Sequence, residues 1–268
     1  MRLRYLSDTH LEFSNFTMDL PYNGEDVLVL AGDITVKNRN DWVLKQAEVF
    51  PNIVLVDGNH EYYGGRIDKV QRINHEQFSN HSNIHYGNNT SVTIDGVTFH
   101  LTTLWTDMNK GCPMTINAVG SSMNDYRQIS YHNPNGSYHK FGPRNAMTEH
   151  LVAKQYLLDN VKKGDVVVTH MAPTFLSIHD DYKHDRYMNG GYASDLSELI
   201  LDTEPALWIN GHIHNTTCYK VGDTIVTSNP RGYFGHELNA EFDLYACALL
   251  EDGQVQIQHQ DIPETSWK

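Results

Sequence analysis

Five apolar runs of this chain stop at side chains that can bind metal: Asp8-Thr9-His10, Gly32-Asp33, Gly58-Asn59-His60-Glu61, His170 and Gly211-His212-Ile213-His214. Imidazole and carboxylate without thiolate suit Mn, Fe, Zn, Co or Ni, and do not suit a cysteine-rich structural zinc site. Alternate side chains of an extended segment point the same way, so His212 and His214 can face one small volume. The set exceeds the four ligands of one tetrahedral ion, which implies two ions close together. A pair about 3.5–4 Å apart can clamp a phosphoryl group and acidify a water between them. One carboxylate must then be shared. Asp33, at the end of a central apolar run, is placed to bridge.

The elements that must position these residues follow from the same runs. Strands are predicted over Leu3–Ser7, Asp26–Leu30, Ile53–Val56, Asp165–Thr169 and Ala206–Asn210, each built on a short apolar run. Such runs belong to sheets covered on both faces. Helical spacing appears over about 38–50, 65–79 and 143–162, and a hairpin over 91–103 turns on Asp95-Gly96. Strands alternating with helices define an α/β sandwich, in which ligands gather at the carboxyl ends of the strands. The stretch 106–142 is polar, rich in Asn, Gly and Tyr, and reads as a long loop capping the site. Residues 215–260 alternate like a set of antiparallel strands. No linker or repeat interrupts the chain, so residues 1–268 are expected to form one domain.

Taken in order, Asp8-x-His10, Gly32-Asp33, Gly58-Asn59-His60-Glu61, His170 and Gly211-His212-x-His214 resemble the calcineurin-like metallophosphoesterase superfamily. The resemblance implies a four-layer α/β/β/α sandwich around a binuclear centre. By matching position, Asp8, His10, Asp33 and His214 would hold one ion, and Asp33, Asn59, His170 and His212 the other. A hydroxide held between the ions would attack the phosphoester, with His60 as the acid that protonates the leaving oxygen. Manganese is the first expectation for the metal, with Fe, Zn, Co or Ni open. The protein Ser/Thr phosphatase branch carries Gly-Asp-x-x-Asp-Arg-Gly, whereas Gly32-Asp33 here runs into Ile34-Thr35-Val36-Lys37. The carboxylate that orients the acid histidine in that branch, and its phosphate-binding arginine, are absent at those positions. Asn124-Asp125-Tyr126-Arg127 and Asn229-Pro230-Arg231-Gly232-Tyr233 resemble a smaller bacterial and phage group within the superfamily. Arg127 and Arg231 are candidates to grip phosphate, and Tyr126 and Tyr233 to contact the rest of the substrate.

Composition narrows the field. A formal charge of −13 argues against broad nucleic-acid binding, which needs a basic surface, but bound dications can still attract a phosphate. No run reaches the roughly 20 apolar residues of a membrane span. Three widely spaced cysteines and an N-terminus without a leader pattern fit a cytoplasmic protein. The sequence therefore predicts a phosphoesterase for a small phosphomonoester or phosphodiester. A cyclic-nucleotide or nucleic-acid phosphodiesterase is the alternative, and a non-catalytic binding scaffold the reading from another class.

Overall fold

The near-continuous apolar runs become strands because both of their faces are covered. In the strand Arg2–Leu6, Leu3 and Tyr5 point to the opposite sheet, while Leu6 points outward to helices. The computed structural model describes residues 1–13, 18–133, 135–251 and 253–258. Two six-stranded sheets form the centre. In the first, Arg2–Leu6, Val27–Leu30, Ile53–Leu55 and Ile84–Tyr86 run parallel and in that order. Cys247–Glu251 then pairs antiparallel with Arg2–Leu6, and Gln254–Gln258 forms the outer edge. In the second, Thr224–Ser228, Leu207–Asn210, Val166–Thr169 and Val97–Thr102 run parallel, flanked by the antiparallel edges Thr217–Val221 and Thr90–Ile94.

The sheets bury Leu3, Tyr5, Val29, Val54, Phe99, Val168 and Ile209 between them. Outside the first sheet, Leu28 and Leu30 pack with Trp42 and Val43 of helix Asp41–Ala47 and with Phe78 of helix Ile67–Phe78. Outside the second, Val167, Trp208 and Val226 pack with Ala153 and Leu157 of helix Pro143–Asn160 and with Leu199 and Ile200 of helix Ser197–Thr203. The buried Trp208 indole N–H donates to Thr169 Oγ1 at 2.9 Å, so its polar atom is satisfied. This is the four-layer α/β/β/α sandwich. Each fully buried large side chain contributes about 1.5–3 kcal/mol.

Two expectations need correction. The stretch 106–142 is not an open loop: it contains helices Met108–Gly111, Pro113–Ser122 and Asp125–Gln128 and the hairpin strands Ser130–His132 and Tyr138–Lys140. None of these elements carries a clear apolar period (Pro113–Ser122 buries only Thr115 and Val119), and burial of Val119, Met123, Ile129 and Phe141 holds them in place. The stretch 215–260 is not one ribbon set either. Its strands do pair antiparallel, as three hairpins, one in each six-stranded sheet and a separate one at Gly232–Tyr233 and Glu237–Leu238, while Thr224–Ser228 also pairs in parallel with Leu207–Asn210. Residues 252, 259 and 260 of that stretch lie outside the described residues. Among the described residues no helix is long and apolar enough to cross a membrane.

Candidate metal centre

The chain leaves each central strand through a tight turn, and these turns carry the metal-competent side chains. Asp8, His10, Asp33 and His212 all have left-handed backbone, with φ of 51°, 44°, 54° and 69°. Such residues cost of order 1–3 kcal/mol each and persist only where their surroundings fix them. Here the turns fasten one another. Asp8 N–H donates to Gly32 O at 3.0 Å and His10 N–H to Asp33 O at 3.1 Å. His212 N–H donates to Asp8 Oδ1 at 3.1 Å, and His60 N–H to Asp33 Oδ1 at 2.8 Å. The Glu61 carboxylate, fully enclosed, accepts from the N–H groups of Gly58, Ile34, Asp33 and Thr35 at 2.7, 2.8, 3.0 and 3.2 Å. Burial beside Asp33 and Asp57 pushes Glu61 up to about 8. Gly58 lets these turns close: a Cβ there would overlap Asp33 Oδ1 and lie 2.6 Å from Asp33 N.

Side-chain atoms then converge in three groups, each within 4.8 Å: Asp8, His10 and His214; Asp33, His170 and His212; and between them His10, Asp33 and His60. Asp33 also lies close to the first group, with Oδ2 3.8 Å from His10 Nε2. His10 Nδ1 donates to Glu12 Oε1 at 3.3 Å, which leaves its Nε2 lone pair 3.1 Å from Nε2 of His214. In the second group, His170 Nδ1–H donates to Ala31 O at 2.9 Å, so its Nε2 is the acceptor nitrogen. That nitrogen faces Asn59 Oδ1 at 2.9 Å, because the Asn59 amide nitrogen is committed to Asp125 Oδ1 at 2.8 Å. Acceptors meeting at such distances need a proton or a cation between them. His212 Nε2 is buried and has no hydrogen-bond partner. Orphaned and opposed lone pairs of this kind are what two divalent ions would satisfy.

The titration behaviour agrees. Burial resists charge on His170, yet Asp33 and Asp8 raise it to about 10, so a proton there stands in for a cation. Burial and the neighbouring His170 push His212 down to about 3, which keeps its nitrogen free as a ligand. Asp33 is held well below the carboxylate range against its burial, chiefly by His170 and His60.

His60 lies beside these groups with a carboxylate of its own. Its Nδ1 donates to Glu12 Oε1 at 2.9 Å, its ring stacks on Tyr63 with centroids 4.1 Å apart, and its Nε2 lies 3.2 Å from the Tyr233 hydroxyl. Burial opposes its protonation, but Asp33 and Glu12 together raise it to about 9. The orienting carboxylate missing after Gly32-Asp33 is thus supplied by Glu12, two residues beyond His10. Asp-x-His-x-Glu is visible in the sequence, but its meaning depends on a fold that brings residues 12 and 60 together.

A cleft of about 510 Å³ opens over the centre, lined by Asp33, Asn59, His212 and His214 and by Tyr63, Tyr182, Tyr192 and Tyr233. Segment 106–142 does reach it, through Ser122, Met123, Asn124 and Asp125. Tyr126 instead stacks on Phe141 at 5.8 Å, and Arg127 bonds the Ser121 carbonyl at the surface. Arg231 is buried behind the first turn, donating to Thr9 O at 3.2 Å with its guanidinium 5.5 Å from the Phe234 ring centre. Neither arginine lines the cleft.

The sandwich and the paired clusters at its strand ends define a dimetal phosphohydrolase architecture. The family model described as calcineurin-like phosphoesterase matches residues 1–216, and the chain belongs to that family. It is a metal-dependent phosphoester hydrolase. An uncharacterized protein, L509, of Acanthamoeba polyphaga mimivirus is 29% identical over 273 residues, covering 91% of this chain and 95% of that one. Among solved structures, phosphopantetheinyl hydrolase from Mycobacterium tuberculosis aligns with TM-score 0.66 at 14% identity, over 86% of this chain and 89% of that one. A dimetal phosphatase from Danio rerio aligns with TM-score 0.55 at 12% identity, over 96% and 95%. At these identities the structural likeness speaks to the fold.

Proposed function

We propose that the chain hydrolyses a small phosphomonoester or phosphodiester, with His60 as the acid for the leaving group. Asp8, His10, Asp33 and His214 would hold one divalent ion, and Asp33, Asn59, His170 and His212 the other, with Asp33 shared. Manganese is the proposed metal and the cytoplasm the proposed setting. Ions held there supply charge stabilisation for the phosphoryl oxygens and acidify the attacking water. The chain's own residues do the rest. As the P–O bond breaks, His60 Nε2 gives its proton to the departing oxygen, while Glu12 keeps the ring in place through Nδ1. Tyr233, hydrogen-bonded to His60 and lining the cleft, contacts the leaving group. The observation that carries this reading is the convergence of imidazole, amide and carboxylate ligand atoms beside a histidine whose Nδ1 bonds the Glu12 carboxylate. The test is turnover of p-nitrophenyl phosphate and bis(p-nitrophenyl) phosphate by manganese-loaded protein. A protein that holds two metals and turns over neither would overturn the reading.

A further inference from the structure

We infer that the cleft selects phosphoesters with a single phosphoryl group whose organic part carries no negative charge and presents a flat, apolar surface. This rests on the phosphoesterase reading of the same site and specifies its substrate class. Among the described residues lining the cleft there is no lysine or arginine. Apart from the histidines, every ionisable side chain on its wall other than tyrosine is a carboxylate: Asp33, Asp125, Asp185 and Glu237. Asp33 and Asp125 lie at the floor, one among the metal-competent groups and the other bound to Asn59 and Tyr63. Asp185 stands away from it, whereas Glu237, on a separate segment, reaches its edge with Oε2 3.6 Å from His214 Nδ1.

Two divalent ions against Asp8 and Asp33 would leave a formal charge of about +2 at the floor. One phosphoryl dianion balances that. A second phosphate or a carboxylate would meet no cation and would face Asp185 and Glu237 instead. The rest of the wall carries Tyr182, Met188 and Ile178 beside the polar Ser122, Asn124, His179 and Asn189, and Tyr192 lies against His212 with ring centres 5.2 Å apart. Such a wall takes up a ring or another flat neutral group by contact area, and a cationic group by its aromatic faces. Nucleoside polyphosphates, sugar bisphosphates and nucleic acid are the classes it disfavours.

The test uses two phosphonates of equal shape that differ by one charge, 4-carbamoylbenzylphosphonate and 4-carboxybenzylphosphonate. Calorimetry measures their binding to the manganese-loaded protein, and the matching phosphate esters measure turnover separately. The neutral compound should bind about tenfold more tightly, the effect of one like charge a few ångströms away in a wet cleft. Asp185→Lys, at an exposed position, should narrow the gap to threefold or less; Asp185→Asn, which removes the charge without adding one, should narrow it by a smaller step. A wild-type gap under about threefold, or a gap unchanged in both variants, overturns the inference. Discrimination without turnover of either ester would keep the cleft assignment and remove the phosphoesterase reading. Turnover of both with equal binding would do the reverse.

Discussion

Glu12 accepts hydrogen bonds from two imidazoles at once, from His60 Nδ1 at 2.9 Å and from His10 Nδ1 at 3.3 Å. One carboxylate therefore sets the ring of the proposed acid and of a proposed ligand. Glu12→Gln keeps the shape and removes the charge. Its effect should depend on the leaving group. Phenyl phosphate, which needs its oxygen protonated, should lose about 10²-fold in kcat, whereas p-nitrophenyl phosphate should lose about tenfold or less. Equal losses on the two substrates would assign Glu12 to structure alone.

Asp125 acts on the other cluster from 66 residues further along the chain than Asn59. It fixes which end of the Asn59 amide faces His170. Asp125→Ala should free that amide to flip and weaken one of the two metal sites by about 10–100-fold, as loss of a partner behind a ligand commonly does. Metal titration followed by calorimetry should then show one tight and one weakened equivalent. Two unchanged equivalents would count against this role.

The opposed acceptors predict a large response to metal. Manganese at a thousand times its dissociation constant should stabilise the protein by about 4 kcal/mol per site, read as a raised Tm. His212→Ala and His214→Ala should each remove one equivalent of metal and part of that rise, and the double variant both. A protein whose Tm ignores manganese would contradict the geometry of the clusters.

The strand ends were legible in the sequence because parallel strands covered on both faces are mostly apolar, Arg4 with its buried partner Glu25 being an exception inside the first. A polar residue closing such a run is conspicuous. Asp8, His10, Asp33, Asn59, His170, His212 and His214 all announced themselves this way. Glu12 did not, since a lone glutamate in a turn has no signature until the fold places it against His60. Glu61 reads as the tail of a motif, and its grip on four backbone N–H groups is purely three-dimensional. Segment 106–142 was illegible for a different reason: its helices lack a clear apolar face, and their formation depends on tertiary burial.

Asp57 makes a pH prediction for the metal-free protein. It is fully buried, and burial raises it from 3.8 to about 6, although Tyr86 OH and Asn74 donate to it at 2.5 and 3.1 Å. The folded state thus favours the protonated acid. Its stabilising effect is complete below about pH 4 and is lost as pH rises through about 6, a change of up to about 3 kcal/mol. In chelator, the urea midpoint should fall between pH 4.5 and pH 8. Asp57→Asn should flatten that fall by raising the midpoint at pH 8, while leaving it nearly unchanged at pH 4.5. A gap between wild type and Asp57→Asn that stays the same at pH 4.5 and pH 8 would refute the assignment.

The pairing of Arg2–Leu6 with Cys247–Glu251 has a consequence for synthesis on the ribosome. At about 5–20 residues per second, the strand carrying Asp8 waits on the order of ten seconds or more for its antiparallel neighbour. Until then Leu3 and its neighbours form a bare edge with unpaired backbone groups, a template for pairing with other nascent chains. Chaperones that shield extended apolar segments would therefore matter most during this interval, and messages truncated before codon 247 should yield insoluble product.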